Sequence, residues 1–312
     1  MEEKGCSLRL ACPQSRSHTV YALCTRLEDF FRTFVGANVY LTPPDTQGFA
    51  PHYDDIEAFI VQTGGKKHWK VYAPRDDSEV LPRYSSRNFT EAEVGECVLE
   101  CLLEPGDLLY LPRGWIHQAR GVGDEPSCHV TISAALHTTY FDFARTALEG
   151  ALASAAAEEV FLRTTLPPHA SDVLGVRNED VEDDPRREEL HGTLHKLLQL
   201  VMERVTIDPS MDQMTRQFVR TRLPPILPTP PPPPSPITPA SHVTLRHPTA
   251  WAMCIEGGSL VIYSSLQNSL RYLGAPEHSI TFPLTFAPTF EALAEIYPAP
   301  IQIAHLPTLE GE

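Results

Sequence analysis

His52 and Asp54, read with the distant His117, are the residues of this chain best suited to holding a transition metal. The first two lie in Gly48-Phe49-Ala50-Pro51-His52-Tyr53-Asp54. A strand alternates its side chains with period two, so His52 and Asp54 are expected on one face and Tyr53 on the other. Two imidazoles and a carboxylate, the third ligand arriving from a separate strand, make the facial set of a non-haem Fe(II) oxygenase. Three protein ligands leave the rest of an octahedral iron free for a cosubstrate and dioxygen. A His-x-Asp pair alone is common by chance. Its weight comes from the second segment, Glu104-Pro105-Gly106-Asp107-Leu108-Leu109-Tyr110-Leu111-Pro112-Arg113-Gly114-Trp115-Ile116-His117. Pro105-Gly106-Asp107 signals a turn, Leu108 to Leu111 an apolar strand, and Pro112-Arg113-Gly114 a second break before the histidine. A short strand between two fixed turns aims one histidine inward.

The elements that must position these residues are short strands broken by Gly and Pro, from about Leu8 to Leu136. Ile56 to Gln62, His68 to Tyr72, Val98 to Leu103, Leu108 to Leu111 and Cys128 to Ala134 read as strands, with Gly64-Gly65 as a tight turn between the first two. An early helix is expected around Val20 to Phe34. The pattern is that of a double-stranded β-helix barrel, cupin-like. After Tyr140 the period lengthens. Phe141, Ala144, Leu148, Leu152, Ala155 and Phe161 suggest a helix up to Arg163. Asp184-Pro185 opens a second helix with the stripe Leu190, Leu194, Leu197, Leu198, Val201 and Val205, and Asp208-Pro209 opens a third carrying Met211, Met214, Phe218 and Val219. Pro224 to Pro239 is of low complexity, and the unbroken run Pro230 to Pro234 is expected to be an extended, stiff spacer. Beyond it, Gly257 to Tyr263 and Ser279 to Phe286 read as strands and Thr289 to Ile296 as a short helix.

Composition narrows the classes. At 312 residues, 42% of them hydrophobic, the chain can bury a full core, and no apolar run approaches a membrane span. Met1-Glu2-Glu3-Lys4 leads into no apolar stretch, so no secretory signal is expected. Seven scattered cysteines without a CxxC pair indicate reduced thiols rather than a disulfide framework or a zinc knuckle. A net charge of -15 argues against an overall grip on nucleic acid and suits a basic protein partner.

The wording of these segments resembles the Jumonji-C family of 2-oxoglutarate oxygenases, and within it the ribosomal oxygenase branch, the nucleolar histidyl-hydroxylase type also described as a lysine-specific demethylase. Asn38-Val39-Tyr40-Leu41-Thr42-Pro43-Pro44, Gln47 to Phe59, Leu108-Leu109-Tyr110 and His117-Gln118-Ala119 carry the resemblance, which is strong over about Arg9 to Leu136 and thinner beyond. It implies a mixed architecture: a catalytic barrel over residues 1–140, a helical dimerisation domain over 141–223, a Pro-rich linker over 224–240 and a winged-helix-like domain over 241–312. Winged helices often bind nucleic acid, but from His242 onward only Arg246 and Arg271 are basic, which is poor material for a phosphate grip. The chain begins almost on the first core strand and stops within what resembles an unfinished winged helix, so a fragment, an isoform or an imperfect gene model is expected.

The resemblance also implies roles. His52, Asp54 and His117 would hold Fe(II), with 2-oxoglutarate and dioxygen as cosubstrates. Lys67 matches the lysine that pairs with the cosubstrate's distal carboxylate. Alternation sets it on one face with Trp69 and Val71, an apolar face where an unpaired ammonium is costly. Asn38, Tyr40, Thr131 and Ser133 fall where the family lines the pocket, Asn38, Thr131 and Ser133 toward the cosubstrate, Tyr40 and Ser133 toward the substrate. Arg9 matches a substrate-contacting arginine. His129 is the rival ligand. It shares a face with Thr131 and Ser133, but cupins with a fourth protein ligand normally carry Glu where Asp54 stands, so His129 reads as a supporting residue. The implied activity is hydroxylation of a histidine of a large-subunit ribosomal protein, with demethylation of histone H3 lysines as a second, in a homodimer of the nucleus and nucleolus. The alternative is a catalytically silent Jumonji scaffold for ribosomal or chromatin partners; an intact His52, Asp54, His117 and Lys67 favours the enzyme.

Overall fold

A computed structural model of the chain describes residues 6–135, 138–168, 170–180, 184–227 and 236–308. The run Pro230 to Pro234, expected to be a stiff spacer, lies outside the described residues. The chain divides into two compact units, Met1–His137 with Arg216–Glu312, and Thr138–Thr215. This partition differs from the expected four segments in placing the end of the third helix with the barrel.

The first unit starts with β1 (Leu8–Ala11), α1 (His18–Phe31), β2 (Val35–Thr42), β3 (Glu57–Gly64), β4 (Lys66–Tyr72), β5 (Cys97–Leu103), β6 (Leu108–Leu111), β7 (Ile116–Val122) and β8 (Ser127–Ala134). Two antiparallel sheets form, one in the order β1-β2-β8-β3-β6 and one in the order β5-β4-β7. They face each other across Ala58, Ile60, Trp69, Val71, Leu103, Leu109 and Leu111. Each such large apolar side chain contributes about 1.5–3 kcal/mol by leaving water. On the outer face of the larger sheet, Val35, Ala37, Ile132 and Ala134 pack with Cys24 of α1 and with Leu223. Ser17 caps that helix by accepting from the Val20 N–H, and Arg32, in the left-handed region, ends it before Phe34.

Alternation between these two cores decides which residues look inward. On β8, Val130, Ile132 and Ala134 belong to the outer cluster, so His129, Thr131 and Ser133 face the barrel. Register sets Asn38 opposite Thr131 and Tyr40 opposite His129. Gly64-Gly65 is not a hairpin turn, because β3 pairs with β6 and β8 whereas β4 pairs with β5 and β7. It is the corner by which the chain leaves one sheet for the other. The corner is tight: a Cβ at Gly65 would lie 2.4 Å from the Pro126 carbonyl oxygen.

The second unit holds α2 (Tyr140–Glu158), the single turn α3 (Ala170–Val173) and α4 (Pro185–Met202), and α5 (Asp208–Thr221) runs from it into the first. Thr139 and Asp142 make a reciprocal capping box on α2, and Asp184 caps α4 by accepting from the Arg186 N–H. The buried face of α2 is the alanine row Ala147, Ala151 and Ala155, not the expected leucines; Leu148 and Leu152 are exposed. Small side chains let Val201 of α4 approach. Leu198, expected in the apolar stripe of α4, is 65% exposed. The helix expected to reach Arg163 stops at Glu158, and Val160–Arg163 is a separate 3-10 turn.

Beyond the linker come β9 (His242–Val243), β10 (Trp251–Glu256), β11 (Ser259–Ser264), β12 (His278–Pro283), α6 (Ala287–Ile296) and β13 (Ile301–Gln302). Three of these strands form an antiparallel sheet in the order β10-β11-β12. Gly257-Gly258, expected within a strand, is the turn joining β10 to β11, both residues having positive φ as a two-residue hairpin turn requires. Val219, near the end of α5, packs with Ala252, Cys254, Val261 and Tyr263 of that sheet.

Candidate metal centre and its pocket

His52 and His117 meet across an isolated bridge, His52 N–H donating to the His117 carbonyl (3.2 Å) and His117 N–H to the His52 carbonyl (2.8 Å). The expected strand at His52 to Asp54 is therefore a single bridge at the end of β7. The side chains converge all the same. His52 Nε2 lies 4.0 Å from Asp54 Oδ1 and His117 Nε2 3.8 Å from Asp54 Oδ2, and one ligand atom from each of the three lies within 4.8 Å of the others.

The protonation pattern explains what these atoms can do. His52 Nδ1 sits 2.8 Å from the Ala50 carbonyl and His117 Nδ1 3.0 Å from the Trp115 carbonyl. Carbonyls only accept, so each Nδ1 carries a proton, and in the neutral ring it is Nε2 that presents the lone pair. Burial, then the neighbouring His52, holds the His117 imidazolium below its usual range, against the opposing pull of Asp54. Two imidazole Nε2 atoms and a carboxylate thus converge on one place. Such a set of acceptors fits a cation. The backbone carbonyls behind the two rings fix their tautomer, as is usual for metal-ligating histidines.

Lys67 faces the same barrel interior and is 5% exposed. Its ammonium donates to Thr42 Oγ1 (3.2 Å) and to His129 Nδ1 (3.4 Å) and lies 5.5 Å from the Trp69 ring centroid. Burial lowers its pKa to about 8. Burial, then the Lys67 charge, pushes His129 down to about 3, so its neutral ring accepts from the ammonium. Trp69 stands between the two groups, its ring 6.1 Å from that of His117 and 5.6 Å from that of His129.

The remaining expected residues line the same interior or its edge. Thr131 is buried and Ser133 half-buried on the inward face of β8. The Tyr40 ring stacks on His129 at 5.1 Å and 14°, and meets Phe49, which in turn meets His52. Arg9, exposed on β1, donates through Nε to Asn38 Oδ1 (3.0 Å), and its guanidinium carbon lies 5.9 Å from the Tyr40 ring centroid. His129 does not join the metal cluster, consistent with its reading as a supporting residue. Sequence reasoning missed Thr42, although period two from Tyr40 would have placed it inward. It also missed a side-chain chain beside His117, in which Gln47 donates to Gln118 (2.9 Å) and Gln118 to the Tyr72 hydroxyl (2.7 Å) and Glu91 (3.1 Å).

Residues 9–141 match the JmjC domain family. Ribosomal oxygenase 1 of Gallus gallus is 39% identical over 98% of this chain and 54% of its own length. The Aedes aegypti protein named bifunctional lysine-specific demethylase and histidyl-hydroxylase NO66 is 38% identical over 98% of this chain and 51% of its own. The chain thus spans about half the length of the relatives it matches. Among solved structures, the Escherichia coli ribosomal oxygenase YcfD aligns with a TM-score of 0.47 and 16% identity, over 95% of this chain and 70% of that one. Residues 9–141 make the chain a JmjC-domain protein, and it is similar over nearly its whole length to the ribosomal oxygenases.

Proposed function

We propose that this chain is an Fe(II)- and 2-oxoglutarate-dependent protein oxygenase that hydroxylates a histidine of a large-subunit ribosomal protein. The observation that carries the reading is the pairing, in one barrel, of three convergent acceptor groups with a buried ammonium whose partners among the described residues are Thr42 and His129 rather than a carboxylate. A dicarboxylic cosubstrate needs both, a cation for each end. The names of the relatives, ribosomal oxygenase and histidyl-hydroxylase, support the reaction class. A silent scaffold has no use for the cost of burying Lys67.

Iron held by His52, Asp54 and His117 would supply the oxidative chemistry, inserting oxygen into an unactivated C–H bond as 2-oxoglutarate and dioxygen are consumed. The chain's own residues do the rest. His52 and His117 present fixed Nε2 lone pairs because backbone carbonyls hold their Nδ1 protons. Lys67, steadied by Thr42 and His129, offers its charge to the distal carboxylate. Thr131 and Asn38 line that cavity, and Trp69 walls it from water. Arg9, Tyr40 and Ser133 are read as the residues that meet the protein substrate. A net charge of -15 suits a basic substrate. As finer parts of the same reading, histone H3 lysines are a second substrate class, the nucleus and nucleolus the compartment, and the exposed Leu148, Leu152, Leu198 and Met202 a surface for self-association as a homodimer.

The test is succinate release by the purified chain with Fe(II), 2-oxoglutarate and a histidine-containing ribosomal peptide, with the added oxygen located by mass spectrometry. A methylated histone H3 peptide in parallel, read by formaldehyde release, separates the second substrate class. We expect His52→Ala and Asp54→Ala to abolish turnover while the barrel stays folded by circular dichroism. Retained 2-oxoglutarate-dependent turnover in either variant overturns the ligand assignment.

A further inference from the structure

The segment that carries two of the three candidate ligands is not part of a strand. His52 has one bridge, to His117, and the backbone of Tyr53, Asp54 and Asp55 must find its hydrogen bonds elsewhere. Most come from the long connection between β4 and β5. Ser86 Oγ accepts from the Tyr53 N–H (2.9 Å), while the Ser86 N–H donates to the Tyr53 carbonyl (3.0 Å). One residue therefore satisfies both backbone groups of Tyr53, which separates His52 from Asp54, its hydroxyl standing where a neighbouring strand would present a carbonyl. Ser85 repeats the pattern one step on: its Oγ accepts from the Asp55 N–H (3.2 Å) and donates to Asp55 Oδ1 (2.7 Å). Phe89 N–H donates to the Pro51 carbonyl (2.7 Å).

The brace is itself anchored. Phe89 is 4% exposed and packs with Tyr72, Ile116 and Tyr53. The Arg75 guanidinium carbon lies 4.1 Å from its ring centroid and that of Arg87 5.0 Å, and these arginines pair with Glu79 and Glu93. A ring held between two guanidiniums and a core cluster is a fixed point, worth more than its area alone. The loop is thus tied down three residues from Ser86, which leaves the serine little freedom to move away from Tyr53.

We propose that Ser86 is a positioning residue of the metal centre, acting through the Tyr53 peptide to hold the spacing of His52 and Asp54, with Ser85 and Phe89 completing a loop that serves as a substitute strand. The proposal rests on the metal reading above. Without the hydroxyl, the Tyr53 N–H loses its acceptor and the two flanking side chains lose their common frame. Partners that orient metal ligands in this way are worth about 10- to 100-fold in metal affinity.

Titration calorimetry of the full chain with Co(II) alone, needing no turnover, tests it. Wild type should bind, Ser86→Ala should bind about 10- to 100-fold more weakly, and Ser86→Thr, which keeps the hydroxyl, should return close to wild type. The metal-free unfolding midpoint should fall in Ser86→Ala by no more than the loss of one hydrogen bond, so the affinity of the folded chain is what decides. A residue of purely structural importance would lower that midpoint and would leave the affinity of the folded fraction alone. If Ser86→Ala does not fold, Ser86→Cys, nearly the same size but a weak acceptor, replaces it. Equal affinity in wild type and Ser86→Ala (or Ser86→Cys) overturns the brace and leaves the metal reading standing; a wild type that binds no Co(II) overturns the metal reading and the brace with it.

Discussion

A buried lysine is the costliest residue of the pocket to bury and the one whose ionisation is most open to experiment. Lys67 lies among Thr42, His129 and Trp69, and burial lowers its pKa to about 8, below the ordinary lysine value. A carboxylate beside it would favour the charged form, so the cosubstrate should bind the protonated ammonium and take up a proton where the free site has lost one. His129, held near 3, stays neutral throughout the range of interest and adds no second titration. The affinity for 2-oxoglutarate should accordingly be highest below about pH 8 and fall as pH rises through it. The sign for stability is opposite: with the folded pKa depressed, the unfolded chain holds the proton more tightly between about 8 and 10.4, and the ligand-free protein should gain stability with pH across that window. Lys67→Ala removes the cation, at about 2–5 kcal/mol, or a loss of about 30-fold or more in 2-oxoglutarate affinity. Calorimetry with 2-oxoglutarate from pH 6.5 to 9.5 checks both points, and a flat profile in wild type speaks against Lys67 as the partner. At this scale the sequence was highly legible. Period two alone set Lys67 with Trp69 and Val71, because each strand face has a uniform environment.

Elements were legible where alternation was strong and illegible where backbone partners come from far away. β3, β4, β5, β6 and β8 lie within two residues of their expected bounds. β7 escaped notice because His117, Gln118 and Arg120 interrupt any apolar rhythm: the first two have specific side-chain partners and the third is exposed. The bridge at His52 could not be told from a strand, since the residues after it, Tyr53 and Asp55, take their hydrogen bonds from a loop beyond β4 that no local pattern encodes. The turn between β6 and β7 was visible as Pro112-Arg113-Gly114, but not its load. Gly114 has φ +87 and donates its N–H to the Asp54 carbonyl (3.0 Å), and a Cβ there would lie 2.3 Å from the Glu79 carbonyl oxygen and 2.8 Å from Pro82 Cδ. Gly114→Ala should cost more than about 1 kcal/mol from backbone strain alone and weaken Co(II) binding as well, by shifting Asp54. Gly106→Ala, at φ +101 with nothing within 4 Å of the added methyl, isolates the strain component. Urea unfolding and Co(II) titration of both variants separate the two effects. A Gly114→Ala chain no worse than Gly106→Ala on either measure contradicts the crowding argument.

At the scale of the whole molecule, the first unit is closed by a contact between residues almost two hundred positions apart, which no reading of sequence pattern could anticipate. Glu28, on α1 and fully buried, accepts the Val35 N–H (3.2 Å) through Oε1 and the Leu223 N–H through both oxygens (3.1 and 3.0 Å). Next to it, the buried Arg222 donates to Asp29 Oδ1 (3.0 Å) and the Thr249 carbonyl (2.8 Å). Leu223 then enters the same apolar cluster as Cys24 and Val35. This seam is why the residues after Thr215 group with the barrel. Burial dominates the ionisation of Glu28 and raises its pKa to about 8, against the pull of Arg222 and of the two backbone N–H groups. Between the ordinary carboxyl value of about 4.3 and that point, the folded chain keeps a proton that the unfolded chain has released. Stability should therefore be greatest on the acid side of this window and fall as pH rises through it. Glu28→Gln keeps an Oε1 acceptor for both N–H groups and cannot ionise, so it should flatten the slope and cost little at pH 7. Arg222→Met, by contrast, takes the guanidinium from Asp29 and leaves it the Thr249 hydroxyl (2.6 Å) and His247 Nε2 (3.5 Å). Since Asp29 remains a third exposed and can be rehydrated, the loss should be about 2–3 kcal/mol, below the figure for a fully buried pair. Urea unfolding of wild type and both variants from pH 5 to 8.5 measures this directly. Parallel profiles for wild type and Glu28→Gln would mean that the carboxylate is already charged in the fold, its hydrogen bonds outweighing its burial.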